Sequence, residues 1–175
     1  MKENKFNWNY LISISLVSAM GGLLFGYDWV VIGGAKPFYE PFFGITGNPF
    51  FQGWAMSCAL IGCLAGAVIS GWLSDRFGRK KLLILAAGLF ASASLGTGAA
   101  TSFGTFVLFR ILGGIGIGLA SNLSPMYIAE ITPANVRGRF VSINQLTIVI
   151  GILAVKSLTG ESLNQYLSDQ LRMIF

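Results

Sequence analysis

Apolar residues in this chain gather in long blocks instead of alternating with polar ones. Five blocks stand out: Tyr10 to Ile32, Gly53 to Leu73, Leu82 to Thr101, Thr105 to Tyr127 and Phe140 to Val155. Apolar runs of this length predict helices that cross a bilayer. A helix rises about 1.5 Å per residue and a hydrocarbon core is about 30 Å thick, so the first four blocks are long enough to span it. The last block reaches across only by extending into its flanks. The first block is too long for the apolar part of a cleaved signal peptide, and further spans follow it. The pattern predicts an all-α polytopic membrane protein with five transmembrane helices.

The segments between the blocks differ in charge. Gly33–Gln52 holds Pro37, Pro41 and Pro49, and its Lys36 and Glu40 cancel, which suits an external loop. Gly71–Lys81 is short and basic, with Arg76, Arg79, Lys80 and Lys81 against a single Asp75. Ser102-Phe103-Gly104 reads as a tight external turn, and Glu130–Arg139 as a second basic loop with Arg137 and Arg139. Lys and Arg near span ends are retained on the cytoplasmic side. Placing the basic loop there puts Lys2, Lys5, Arg76, Arg79, Lys80, Lys81, Arg137 and Arg139 inside, and only Lys36, Lys156 and Arg172 outside. Residues 1–9 are then a cytoplasmic N-terminus and 10–155 a five-helix transmembrane region. Residues 156–175 form an external polar segment, and Leu171–Phe175 reads like the start of a sixth helix.

Composition sharpens this picture. The chain is 54% hydrophobic and 11% charged, with a net charge of +5. In a soluble protein that excess would suggest nucleic acid; here the cations sit between spans, and orientation in the bilayer accounts for them. Histidine is absent, which removes imidazole proton relays and most metal sites. Cys58 and Cys63 lie inside an apolar block and read as small core residues. No nucleophile with a base and no metal-ligand cluster appears, so an enzyme is not expected.

Two charges lie within the blocks: Asp28 in the first and Arg110 in the fourth. Each costs about 2.5–3.5 kcal/mol on insertion scales, so each needs a partner or a wet cavity. Asp28 sits about 27 Å along an outward helix and Arg110 about 10 Å along an inward one, which puts both in the outer half and within pairing range. The two charges read either as groups that snorkel to the external interface or form a structural ion pair, or as a carboxylate that gains and loses a proton beside Arg110. Phe25 shares nearly the same helix face as Asp28. Asn144, Gln145 and Thr147 lie in the last block, where amides turn toward the protein interior. Gln145 offers donors and acceptors to a polyhydroxylated ligand; its alternative is an interhelical hydrogen bond. Gly22/Gly26, Gly62/Gly66 and Gly114/Gly118 have the spacing that lets helices approach closely. The run Gly113–Gly118 is no phosphate loop, because no strand precedes it and no Lys-Ser/Thr follows. At the basic end, Asp75, Arg76 and Arg79 face Glu130, Arg137 and Arg139 across neighbouring spans, so these charges either latch the helices as a gate or only set topology.

These motifs resemble the sugar porter family of the major facilitator superfamily, and within it the bacterial xylose–proton symporters. The resemblance rests on Gly71-x-x-x-Asp75-Arg76-x-Gly78-Arg79-Lys80 and on Pro125-x-x-x-x-Glu130-x-x-Pro133-x-x-x-Arg137-Gly138-Arg139. Phe25-Gly26-Tyr27-Asp28 and Arg110–Ala120 add to it, over about Asn9 to Val155. It implies twelve helices in two halves that rock about a central sugar site, of which this chain carries the first five. It also implies proton coupling at Asp28 with Arg110, sugar contacts from Phe25 and Gln145, and a cytoplasmic gate network of Asp75, Arg76, Arg79, Glu130, Arg137 and Arg139. Many relatives carry a second glutamine at the position of Ile152, and its lack here leaves the sugar's identity open. The expected function is proton-coupled symport of a monosaccharide in a bacterial inner membrane, without cofactor or nucleic acid. The proton would be the coupling ion, and a missing C-terminal half would be a partner. The alternatives are a non-transporting truncated product or interaction subunit, and another major facilitator transporter.

Overall fold

In the computed structural model, which describes residues 8–158, the apolar blocks fold as helices. These are α1 (Trp8–Gly34), α2 (Lys36–Phe42), α3 (Pro49–Phe77), α4 (Arg79–Gly98), α5 (Phe103–Ile131) and α6 (Arg137–Leu158). All but α2 are long and apolar enough to cross a membrane, giving five spans. The protein is therefore a multi-pass, all-helical membrane protein, and no strand occurs among the described residues. The N-terminal residues 1–7 and the polar segment beyond Leu158, including the helix start expected at Leu171–Phe175, lie outside the described residues.

The helices run further than the apolar blocks. Hydropathy marks where a helix is in hydrocarbon, whereas its hydrogen-bond ladder continues into the polar flanks. So α3 continues past Leu73 through Asp75 and Arg76, and α4 starts at once at Arg79. The basic segment is thus two helix ends about one residue, Gly78, rather than a loop. Gly78 has φ 84° and ψ 146°, a conformation essentially reserved for glycine, and its N–H closes α3 on the Ser74 carbonyl at 2.9 Å. The last span begins at Arg137 and has 22 residues, or about 33 Å, so it crosses without help. The segment between the first two spans holds α2, although its prolines argue for a loop. Pro37 lies in the first turn, where no amide hydrogen is needed. The turn at Ser102 caps α5, its hydroxyl accepting from the Thr105 amide at 3.3 Å.

Helix α5 is the hub. It packs on α3 and α4 and also meets α1 and α6, while α1 and α6 form a close pair of their own. Glycines make both close pairs. A Cβ on Gly62 or Gly66 would run into the carbonyls of Ile111 and Ile115, and one on Gly114 or Gly118 into those of Ala59 and Cys63. The two glycine pairs thus interlock α3 with α5. Gly26 of α1 lies against the Ile148 carbonyl of α6, and Gly151 of α6 against that of Leu23. The remaining glycines of the Gly113–Gly118 run serve another face: Gly116 lies against Ala86 of α4, and Gly113 against Ala93. Small polar groups finish the seams. Ser18 and Ser124 bond across α1 and α5, Thr147 donates to the Ala19 carbonyl at 2.8 Å, and the Asn122 amide reaches the Ala67 carbonyl and the Ser70 hydroxyl, each at 3.1 Å.

Candidate functional site

The α1–α5 crossing brings the two in-span charges together. Arg110 Nη1 donates to Asp28 Oδ1 at 2.7 Å, with the side chains 8% and 18% exposed. Apolar groups close over the pair on the side of α2. Ile32 lies one turn beyond Asp28, Phe106 one turn beyond Arg110, and both join Tyr39, Ile45 and Ala55 in one buried cluster. Phe43, Phe51 and Phe103 extend this cap as a chain of ring contacts 5.3–6.4 Å apart. Charge is thus held at short range in an apolar setting, where a change in protonation has large energetic effect.

One turn inward, Phe25 lines a cavity of about 250 Å³ between α1, α5 and α6. Gln145, Asn144 and Ser121 supply its polar groups, and Pro125 lies in its wall. Gln145 is exposed and makes no hydrogen bond among the described residues, whereas Thr147 takes the bond to α1. The Gln145 amide is therefore free to meet a ligand. A larger groove of about 630 Å³ lies between α1, α4 and α5. It is lined by apolar side chains such as Ile14, Leu83 and Phe90, together with Ser13, Ser18, Lys80 and Tyr127. We place the candidate site in the smaller cavity, which Phe25 and Gln145 line and which lies one turn along α1 from the ion pair.

At the basic end, Arg79 is the centre. It reaches Glu130 at the end of α5 at 2.9 Å and Asp75, one turn back across Gly78, at 3.5 Å. Arg76 instead lies over the rings of Trp72 and Phe77, 5.7 and 5.9 Å from their centres. Arg137 and Arg139 are exposed in the first turn of α6 and enter no ion pair among the described residues. Of the six charges grouped there by sequence, the structure joins three.

The pattern of apolar blocks does not point to Tyr39 or Glu40, yet both are buried. Glu40 is held by Lys36 at 3.6 Å and by the Gln52 amide at 3.1 Å. Its spacing of four from Lys36 is the one local signal of a helix in that segment. Burial, and then the neighbouring Glu40 charge, push the Tyr39 phenol above its usual range.

Comparison with known proteins gives a consistent picture. The model of the family described as sugar (and other) transporter matches residues 14–175. The D-xylose-proton symporter of Escherichia coli (strain K12) is 41% identical, with 87% of this chain and 36% of the symporter covered. The arabinose-proton symporter of Bacillus subtilis (strain 168) is 43% identical, with 83% and 31% covered. The solved structure of the major facilitator superfamily proton:xylose symporter XylE, bound to 6-bromo-6-deoxy-D-glucose, superposes with a TM-score of 0.81 at 40% identity. That match covers 87% of this chain and 37% of XylE. The chain thus spans about a third of the length of these relatives.

Proposed function

The chain belongs to the sugar (and other) transporter family, and from that premise we propose that it supplies the first five helices of a proton-coupled monosaccharide symporter. The observation that carries this reading is the part-buried Asp28–Arg110 pair beside a cavity lined by Phe25 and Gln145. Asp28 is the proton carrier. Arg110 holds it in its charged form and is released when it becomes neutral. Phe25 offers an apolar face to the sugar ring, and the Gln145 amide bonds its hydroxyls. Arg79, with Asp75 and Glu130, latches the ends of α3, α4 and α5, and the latch opens as the halves rock. Arg76, Arg137 and Arg139 border the latch and hold the basic end in the cytoplasm, with the N-terminus on the same side. The proton is the coupling ion, and no cofactor takes part. The remaining sugar contacts come from a second half, and the D-xylose and arabinose symporters among the relatives support a monosaccharide substrate, pentose or hexose, without selecting one.

The test is a chimera in which residues 1–158 replace the matching part of the D-xylose-proton symporter. The chimera is expected to accumulate sugar in vesicles under an imposed proton gradient. Asp28→Asn is expected to abolish accumulation while sparing sugar exchange. Accumulation that survives Asp28→Asn refutes the coupling role.

A second reading concerns these residues taken alone: five spans, about a third of the length of the named symporters, do not transport sugar by themselves. Liposomes holding only the 175-residue chain are then expected to show no sugar counterflow. Exchange by the lone chain refutes this reading.

A further inference from the structure

Most of the hydrogen-bonding capacity of Arg110 is unused. A guanidinium carries five N–H donors. Among the described residues, Asp28 accepts from Nη1, while Nε is sealed from solvent with no acceptor. An oxygen in the same condition lies close by. Tyr39 of α2 is 7% exposed, and its hydroxyl is buried without a partner. Its ring packs on Phe106 with centres 5.5 Å apart, and Phe106 stands one turn from Arg110 on the same face of α5. A donor and an acceptor, both buried and both unmet among the described residues, thus lie on neighbouring elements, close enough for the Arg110 charge to act on the Tyr39 phenol.

We propose that Tyr39 is a positioning residue for Arg110: its phenolic oxygen is the second acceptor, to which the guanidinium turns when Asp28 loses its charge. The α2 cap and the ion pair then share one cation. The proposal rests on the reading of Asp28 as a proton carrier.

The chemistry gives the order of preference. A carboxylate is a stronger acceptor than a neutral phenol, so Asp28 holds Arg110 while it is charged. Once Asp28 is neutral, a buried cation needs another oxygen. Glu40 is the nearest other carboxylate on α2, and Lys36 and Gln52 already hold it. Tyr39 does not compete as a phenolate, because burial and Glu40 keep its proton on. The charged and titratable groups around Tyr39 are therefore Lys36 and Glu40 of its own helix, Cys58 of α3, Arg110 of α5, and Asp28 of α1 through Arg110.

The experiment uses the 175-residue chain in lipid nanodiscs, with its five tyrosines labelled with carbon-13 at the phenol carbon. Tyr39→Phe assigns the Tyr39 resonance. In Asp28→Asn, which is nearly isosteric, that resonance is expected to shift while that of Tyr127 stays in place. Adding Arg110→Gln is expected to cancel the shift. A Tyr39 resonance that ignores Asp28→Asn overturns the proposal. Acidifying the wild-type chain is the second measurement, with Glu40→Gln removing the neighbouring carboxylate. A shift with acid that survives Glu40→Gln supports the coupling. A shift in Asp28→Asn without one in acid also supports it, and refutes instead the reading of Asp28 as a proton carrier.

Discussion

Removing one member of the Asp28–Arg110 pair leaves a lone charge among apolar side chains. Arg110→Ala is expected to lower unfolding stability by about 3–5 kcal/mol, and the double variant with Asp28→Asn by less, because no uncompensated charge remains. Denaturation in mixed micelles measures both. The Arg79–Glu130 pair belongs to a different regime, with side chains 26% and 48% exposed. Arg79→Ala should change stability by less than about 1 kcal/mol in the same assay. Tyr39 gives the chain an alkaline limit. Its folded-state pKa lies above the unfolded value of about 10, so the folded state holds the phenolic proton more tightly. Stability is therefore unaffected below that value and falls as pH rises through the higher folded value. An alkaline unfolding scan should show this decline and should lose it in Tyr39→Phe.

Helices α3 and α5 approach as closely as their backbones allow, and the glycines are the reason. A methyl group on Gly62 or Gly114 meets a carbonyl oxygen of the facing helix, which cannot yield as a side-chain tip would. Gly62→Ala and Gly114→Ala are each expected to cost about 1–3 kcal/mol. Gly88, with nothing within 4 Å of its Cβ direction, is the control, and Gly88→Ala should be neutral or stabilising by up to about 1 kcal/mol. Gly78 acts through its own backbone. Gly78→Ala should cost about 1–3 kcal/mol and disturb the register of Asp75 and Arg79 across the joint. These comparisons separate close approach from conformational freedom as two uses of the same residue type.

For the whole molecule, the arrangement of spans carries the remaining prediction. Thr46 lies between α2 and α3, and Ala134 between α5 and α6, both exposed. If the basic end is cytoplasmic, a membrane-impermeant thiol reagent added to intact cells should label Thr46→Cys but not Ala134→Cys, with Cys58 and Cys63 replaced. The reverse pattern would refute the proposed orientation. Helix α5 contributes Arg110 to the ion pair, Ser121 and Pro125 to the cavity wall, and Glu130 to the contact with Arg79.

The sequence by itself determined the helical class, the five spans, the three glycine pairs and two in-span charges that each need a partner or a wet cavity. All of these are signals along the chain: the length of an apolar run, a spacing of four, the high cost of a charge in hydrocarbon. Only the tertiary structure decided which groups meet. It folded α2 over the ion pair and buried Tyr39 and Glu40 in a segment whose prolines read as loop. It gave Thr147 the bond to α1 and left Gln145 open to the cavity, and it joined Arg79, not Arg76, Arg137 or Arg139, to Glu130 and Asp75. Periodicity fixes which residues share a face, but the rotation and crossing of each helix follow from packing against its neighbours, and those fix which faces touch.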